Sequence, residues 1–141
     1  MAAARFCRVL SIIIPVLNEQ AAIEANLAVL QPLRRLGVEV IVVDGGSADD
    51  SAHLAFPLAD RVIGASRGRA SQMNAGARQA TGDKLLFLHS DTLLPDGAPE
   101  AIEEALEKPD CVWGRFDVRI DSPLHSLAGI AFMMNLRSRL T

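Results

Sequence analysis

Tyrosine is absent from the sequence, and only 4% of its residues are aromatic. Proteins that bind single-stranded nucleic acid stack the bases on aromatic side chains, and this chain has few of them. The formal net charge of -3 at pH 7 also argues against a broad surface for phosphate groups. The composition therefore predicts that nucleic acid is not a partner.

Cysteine is scarce as well. Cys7 and Cys111 are the only two, they lie far apart, and no C-x-x-C spacing occurs. This argues against a disulfide framework and a structural zinc site, and it favours reduced thiols in a cytoplasmic protein. No stretch reaches the roughly 20 apolar residues of a membrane span. The apolar segment 123–140 leaves open a peripheral contact with the inner face of a membrane.

Apolar residues, in contrast, make up 50% of the 141 residues, enough for the core of a single compact domain over 1–141. Short apolar runs predict four strands, at 8–14, 38–43, 61–64 and 84–88. Apolar periodicity and capping residues predict helices at 19–36, after Ser47, at 70–80 and from Asp96 to Leu106. Strands that alternate with helices predict an α/β, Rossmann-like fold with a mostly parallel sheet and helices on both faces.

Local signals refine the expected element boundaries. Asn18 is the predicted N-cap of the first helix. Ser47 to Asp50 fits a capping box for the next helix, with a carboxylate in the place of the usual Glu. Alternating apolar and polar side chains over 112–120 predict a further strand, antiparallel and near the sheet edge. The apolar segment 123–140 predicts a final helix.

Two polar clusters follow the first two predicted strands, at the end of the sheet where ligands bind in open α/β folds. Pro15-Val16-Leu17-Asn18-Glu19 begins a helix whose free N–H groups favour an anion or a polar ring, although ordinary turn chemistry is the better explanation when it is taken alone. In Asp44-Gly45-Gly46-Ser47 the glycines let a ligand approach the backbone. Helix capping does not explain Asp44, whose carboxylate can accept from a ribose hydroxyl or a base N–H.

A third cluster, His89-Ser90-Asp91, follows the fourth predicted strand, which we expect to be the central one. A single acid in a loop is usually just solvated. Asp91 in line with Asp44 across adjacent strand tips would be better placed to hold a divalent cation against a diphosphate, because Mg²⁺ uses one or two carboxylates together with phosphate oxygens and water.

Positive charge precedes the third predicted helix. Arg67 and Arg69 lie just before Gln72 and Asn74, so a diphosphate would meet a guanidinium group and a helix N-terminus together. A solvated basic turn is an equally good explanation of these residues when each is viewed singly.

Taken in order, these segments resemble the family 2 glycosyltransferases, and most closely the subgroup associated with arsenosugar biosynthesis. The resemblance covers nearly the whole chain, and the ordered set is far more specific than any one member. It rests on Ser11–Glu19, Ile41–Ser47, Gly68-Arg69-Ala70 with Asn74-Ala75-Gly76, and Leu88–Thr92.

The resemblance implies a GT-A fold, a nucleoside-diphosphate sugar as donor, transfer with inversion, and a divalent metal, Mg²⁺ or Mn²⁺, that neutralises the departing diphosphate. Asp44 would contact the nucleotide base, Arg69 would lie near the diphosphate, and Asp91 would bind the metal as the acid of a D-x-D motif. The full set of expected donor-binding residues is Pro15, Asn18, Glu19, Asp44, Gly45, Gly46, Arg69, Asn74 and Ser90.

Two departures from the family pattern affect these expectations. His89 takes the place of the first acid of the D-x-D motif, which leaves Asp91 as its only carboxylate. Members of the family place their catalytic base, typically in a Glu-Asp pair, in the part that would follow Thr141, and no Glu-Asp pair occurs here. We therefore name no base and expect the domain to be incomplete at its C-terminus.

The same residues argue against two other classes of enzyme. A dinucleotide-dependent oxidoreductase needs a G-x-G-x-x-G turn after the first strand, where this chain has Pro15 to Glu19. A nucleotidyltransferase needs a glycine-rich loop with a basic residue at that place, which is missing too. A non-catalytic fragment that binds a nucleotide, or a subunit that depends on a partner, stays open, as does the oligomeric state.

Overall fold

A computed structural model describes residues 10–123 and 125–140 of the chain. The predicted start of the first strand, at Arg8, and one of the two cysteines, Cys7, lie outside the described residues. The chain divides into two compact units, the first ending at Asp96 and the second beginning at Gly97. The single domain expected from composition stays a prediction.

The first unit contains a parallel four-stranded sheet. Its strands are β1 (Leu10–Val16), β2 (Glu39–Asp44), β3 (Arg61–Gly64) and β4 (Lys84–Phe87), in the order β3-β2-β1-β4. Every residue of β1 is buried, as are the four apolar residues inside β2. Both runs are rich in β-branched side chains, which pack well on a pleated surface that is covered on both sides.

Helices cover both faces of this sheet, as predicted. The helices of this unit are α1 (Ile23–Ala28), α2 (Gln31–Arg35), α3 (Ser51–Ala55) and α4 (Arg69–Gln79), with a 3-10 turn at Phe56–Leu58, whereas α5 (Ala98–Leu106) and α6 (His125–Leu140) belong to the second unit. Helix α4 packs on the face that carries Ile13 and Val43. Ile14 points to the opposite face, where it lines a small cavity with Ile23 and Leu27 of α1.

The single helix expected over 19–36 is wrong: two short helices, α1 and α2, take its place. Pro32 lies in the first turn of α2 and has no N–H to donate to a carbonyl one turn earlier, so the helix is interrupted there. Asn18 is not an N-cap, because its φ is 55° and α1 begins only after Ala22. The backbone carbonyl of Glu19 accepts from the N–H groups of Ala22 and Ile23 instead.

The predicted capping box at Ser47 to Asp50 is also wrong. Helix α3 begins at Ser51, and the side chain of its N-cap residue, Asp50, makes no capping hydrogen bond. The hydroxyl group of Ser47 donates to the carboxylate of Asp44 and accepts from the backbone N–H of Asn18, a residue of another loop. A contact between distant parts of the chain has replaced the local cap.

The second unit consists of α5, the segment 111–123 and α6. The predicted helices are confirmed, but residues 111–123 contain no strand. The N–H and C=O groups of Val118 bond to the side chain of Asn135, at 2.8 and 2.9 Å, rather than to another strand. Side-chain alternation without a backbone partner produces only an extended segment, and Val112 is 86% exposed there.

No helix within 10–123 or 125–140 is both long enough and apolar enough to cross a bilayer.

Candidate functional site

A crevice opens in the first unit where the strand order reverses. The chain runs from β1 outward through β2 to β3 and then returns to the other side of β1 with β4. The pairing of β1 with β4 ends at Ile13 and Phe87, after a last hydrogen bond of 3.0 Å from the Leu88 N–H to the Ile13 carbonyl. Strand β1 continues to Val16 beside β2. Such a reversal point is where open α/β sheets bind ligands.

Pro15 lies at the inner end of this crevice. It is buried in β1, and strand alternation turns its backbone to the same side as that of Ile13, toward β4. Because proline has no N–H, β1 leaves no unpaired donor where β4 departs. Contact of Pro15 with a ligand stays a prediction.

Hydrogen bonds join the loops that follow β1 and β2. The Asn18 N–H donates to Ser47 Oγ at 2.9 Å, and Asn18 Oδ1 accepts from the Ala48 N–H at 2.8 Å. The Glu19 N–H donates to Ser51 Oγ at 2.8 Å. Two residues expected to bind the donor, Asn18 and Glu19, thus also hold the two loops together.

The same pairing extends one residue further along both loops. The Gln20 N–H donates to Asp49 Oδ2 at 3.1 Å, and Gln20 Oε1 accepts from the Asp50 N–H at 3.2 Å. Hydrogen bonds from Ser51, its hydroxyl group above all, lower the pKa of the Asp49 carboxyl. These contacts satisfy donors of both loops and fix the spacing of the two strand ends.

Asp44 is half-buried at the end of β2, and hydrogen bonds within its own turn occupy most of the acceptor positions of its carboxylate. Oδ2 accepts from the N–H groups of Gly46 and Ser47 at 3.0 and 3.1 Å, and Oδ1 accepts from the Ser47 hydroxyl at 2.5 Å. A carboxylate offers about four acceptor positions. Asp44 is therefore held rigidly and keeps capacity for about one further donor.

The two glycines after Asp44 have structural reasons to be glycine. A Cβ on Gly45 would lie 2.9 Å from Cδ of Gln72, and Gly46 has a φ of 86°, in the left-handed region. Close packing against α4 and the tight turn account for both. Contact of these glycines with a ligand stays a prediction.

Arg69 is exposed at the first position of α4, after Gly68, whose φ is 133°. No side chain caps this helix, and the first backbone bond into it runs from the Gln72 N–H to the Gly68 carbonyl at 2.9 Å. The amide groups before Gln72 and the guanidinium of Arg69 are available to an anion. Asn74 is also exposed, further along α4.

Asp91 is exposed beyond the end of β4, where Oδ1 accepts from the hydroxyl of Thr92 at 3.2 Å. The expectation that Asp44 and Asp91 follow adjacent strands is wrong. Strand β1 lies between β2 and β4, and two strand spacings correspond to about 10 Å. Within the described ranges β4 is an edge strand, not the central one.

One carboxylate is thus offered to a metal ion at the end of β4. In the described parts of the chain no three His, Cys, Asp or Glu side chains cluster as a metal site. This donor set fits Mg²⁺ or Mn²⁺ only if diphosphate oxygens and water complete the coordination, which is usual for Mg²⁺. His89 and Ser90 are half-buried and line the small cavity beside Ile14, so they flank this position.

Sequence reasoning missed the importance of Gln72. Its side chain is only 3% exposed, and Nε2 donates to the Val16 and Val43 carbonyls at 2.9 and 2.8 Å. One signal was present: Gln72 lies four positions before Gly76 on the face of α4 that meets the sheet. A polar residue on the buried face of a helix needs partners there.

Comparison with known proteins identifies this arrangement. Residues 11–139 match the model of glycosyl transferase family 2. The chain belongs to glycosyl transferase family 2. The expected family and the GT-A fold are confirmed, since the structural neighbours of this family 2 chain are GT-A glycosyltransferases.

Among the curated relatives of this family 2 chain are two bacterial enzymes. The undecaprenyl-phosphate 4-deoxy-4-formamido-L-arabinose transferase of Pseudomonas paraeruginosa (strain DSM 24068 / PA7) is 32% identical over 124 residues, which are 79% of this chain and 37% of that protein. The poly-beta-1,6-N-acetyl-D-glucosamine synthase of Staphylococcus aureus (strain COL) is 30% identical over 88 residues, 58% of this chain and 21% of that protein.

Solved structures of a third enzyme share the fold. The glucosyl-3-phosphoglycerate synthase of Mycobacterium tuberculosis, in complex with Mn²⁺, UDP and glucosyl-3-phosphoglycerate, superposes with a TM-score of 0.58 at 29% identity. The match covers 74% of this chain and 40% of that one. The same enzyme has been solved with Mg²⁺ and UDP. The family 2 chain spans less than half the length of each of these relatives.

Proposed function

We propose that the chain is the donor-binding part of a glycosyltransferase that transfers a sugar, with inversion, from a nucleoside-diphosphate sugar to an acceptor. The observation that carries the proposal is the crevice between β1 and β4, with Asp44 at the end of β2 on one side and Asp91 beyond β4 on the other. Family membership supports the same function, as does the binding of UDP by the mycobacterial enzyme.

Each part of the donor has a proposed place. Asp44, rigid in its turn, accepts a hydrogen bond from the nucleoside. Arg69 and the free amide groups at the start of α4 bind the diphosphate, because a helix N-terminus and a guanidinium group both favour an anion. Pro15, Asn18, Glu19 and Ser90 line the donor pocket in this proposal. Gly45, Gly46 and Asn74 complete the donor-binding set.

Asp91 is the proposed protein ligand of the divalent metal, as Mg²⁺ or Mn²⁺. When bound, the metal neutralises charge on the departing diphosphate and so stabilises the leaving group. Metal-containing complexes of the mycobacterial enzyme support this assignment. Asp91 is exposed and engaged by a single neighbouring hydroxyl, so its second oxygen is open to an ion.

Inversion requires a base to take the proton of the acceptor hydroxyl, and we assign none within this chain. The acceptor, the sugar and the base of the nucleotide are likewise unassigned, because a fold does not determine them. The arsenosugar subgroup, a cytoplasmic location and a peripheral membrane contact are kept as predictions.

Calorimetric titration of the purified chain with UDP and with GDP, with and without Mn²⁺, tests the proposal. We expect one nucleotide to bind in a metal-dependent manner and Asp91→Ala to abolish that dependence. Asp83→Ala is the matched control, since Asp83 is an exposed carboxylate just before β4, at the opposite end of the same strand. Absence of binding under every condition would refute the donor site.

A further inference from the structure

Gln72 joins three elements around the candidate site through one buried amide group. Its Nε2 donates to the carbonyl of Val16, the last residue of β1, and to the carbonyl of Val43 in β2. The Val16 carbonyl also accepts from the Gly45 N–H at 2.9 Å. The amide therefore ties α4 to both strand ends from which the ligand-binding loops begin.

The fit around this amide is close. A Cβ on Gly45 would lie 2.9 Å from Cδ and 3.0 Å from both Nε2 and Oε1 of Gln72. The amide is almost fully buried, and a buried donor without a partner is costly, so its two hydrogen bonds hold one geometry. Movement of α4 along the sheet would break both bonds together.

Gln72 lies three positions after Arg69, within the first turn of α4. Residues three apart share a helix face, so the position of Gln72 determines where the start of α4 lies. On the other side of the amide, Gly45 follows Asp44 directly. The amide thus fixes the distance between the diphosphate end of the proposed site and its nucleoside end.

We propose that Gln72 is a positioning residue that fixes Arg69 and the start of α4 relative to Asp44, so that the two parts of a nucleoside diphosphate are bound together. The proposal rests on the proposed function. Gln72 has no contact with the ligand in it. Its effect is on the distance between Arg69 and Asp44, which are the groups that contact the ligand.

The test compares UDP with uridine on the full chain, by calorimetry in the presence of Mn²⁺, for wild type and Gln72→Met. Methionine keeps the volume and removes both hydrogen bonds. We expect the Kd for UDP to rise about tenfold and the Kd for uridine to change less than about twofold, because only UDP spans both ends of the site. Gln79→Met, an exposed change on the same helix, should alter neither.

A double-mutant cycle decides whether Gln72 acts through Arg69. In an Arg69→Ala background, Gln72→Met should weaken UDP binding by a smaller factor than in wild type, because one of the two groups that it positions is gone. Additive effects, or equal losses for UDP and uridine, would reduce Gln72 to a general stabilising residue and overturn the proposal. Unchanged UDP binding by Gln72→Met would overturn it too.

If Gln72→Met does not fold, Gly45→Ala provides the second route, since the added methyl group displaces the amide without removing it. The same preferential loss of UDP binding is expected, and an equal loss for both ligands contradicts the proposal. A wild-type chain that binds neither UDP nor GDP refutes the proposed function together with this inference, and if it binds GDP alone, GDP and guanosine replace UDP and uridine in the test. A wild-type chain that binds UDP with unchanged variants refutes the inference alone.

Discussion

The backbone N–H of Asn18 donates a hydrogen bond of 2.9 Å to the Oγ of Ser47, a residue 29 positions later in the chain. Asn18 has a φ of 55°, the one positive value of a non-glycine residue in the described ranges. Asparagine tolerates this conformation better than most residues do. Its side-chain Oδ1 accepts a second hydrogen bond from the same loop, donated by the Ala48 N–H at 2.8 Å. Asn18 therefore links the two loops of the candidate site.

Replacing Asn18 tests that link. We expect Asn18→Ala to lower the free energy of unfolding by about 2 kcal/mol, of which about 1 is the lost hydrogen bond and about 1 the cost of the left-handed backbone for alanine. Asn18→Gly loses the bond but tolerates the backbone, so it should cost only about half as much. Urea unfolding at pH 7 measures both. Equal losses for the two variants would contradict the role of the backbone conformation.

Gly76 permits α4 to approach the sheet closely. A Cβ there would lie 2.4 Å from Cγ2 of Ile13 and 3.0 Å from Cγ2 of Val43. Alanine favours helix by about 1 kcal/mol over glycine, but overpacking a core costs about 1–3 kcal/mol.

We therefore expect Gly76→Ala to lower the free energy of unfolding, by about 1 kcal/mol or more. Thermal unfolding followed by circular dichroism measures the change. Gly129→Ala is the control in another helix, where an added Cβ meets nothing within 4 Å. It should not destabilise the chain. A Gly76→Ala protein as stable as wild type would show that α4 can shift to accept the methyl group.

Strands and long helices of the first unit were predictable because their signals are local. The range of β3 was predicted in full, and α4 begins one residue before its predicted start. Runs of β-branched residues predict the strands and a run of small residues predicts α4, and in both cases the residues that carry the signal are neighbours in the sequence. The break at Pro32 was also a local signal, but the apolar stripe through it dominated the interpretation.

Errors arose where a residue's partner is distant in sequence. Ser47 looks like a helix cap until its hydroxyl is seen bonded to Asp44 and Asn18. The positions of Asp44 and Asp91 depend on β4 returning to β1, and chain order alone does not give strand order. The sequence predicts Gln72 only as a polar residue of the helix after the basic turn, because the carbonyls that it binds belong to other elements.

Glu39 makes the stability of the sheet depend on pH. Burial raises the pKa of its carboxyl, but hydrogen bonds from Ser11 and Thr81 and the charge of Arg61 outweigh burial, so the pKa lies below its ordinary value. The Ser11 hydroxyl donates at 2.5 Å and the Thr81 N–H at 2.8 Å. A lowered pKa in the folded state means that the stabilisation is full above the unfolded pKa, about 4.3, and is lost as pH falls through the folded value.

Glu39→Gln should therefore destabilise the chain at pH 7, by about 1 kcal/mol, and the difference from wild type should shrink as pH falls below about 4. Urea unfolding at a series of pH values between neutral and acidic measures this convergence. Glu24→Gln on the exposed side of α1 is the matched control and should give no such trend. A difference that stays constant with pH would mean that the shape of Glu39, and not its charge, stabilises the sheet.

Asp44 is the residue on which recognition of the nucleoside depends in the proposed site. Its turn leaves capacity for about one further hydrogen bond, and Asp44→Asn replaces one of its two accepting oxygens with a donor. We expect the Kd for the preferred nucleoside diphosphate to rise about tenfold, which corresponds to ~1.4 kcal/mol, with the Kd for inorganic pyrophosphate unchanged. The reason is that pyrophosphate needs only Arg69, the start of α4 and the metal. Asp83→Asn serves as the control for the change in charge. Equal weakening of both ligands would show that Asp44 supports the loop as a whole through the bonds to Gly46 and Ser47, and that the nucleoside is recognised elsewhere.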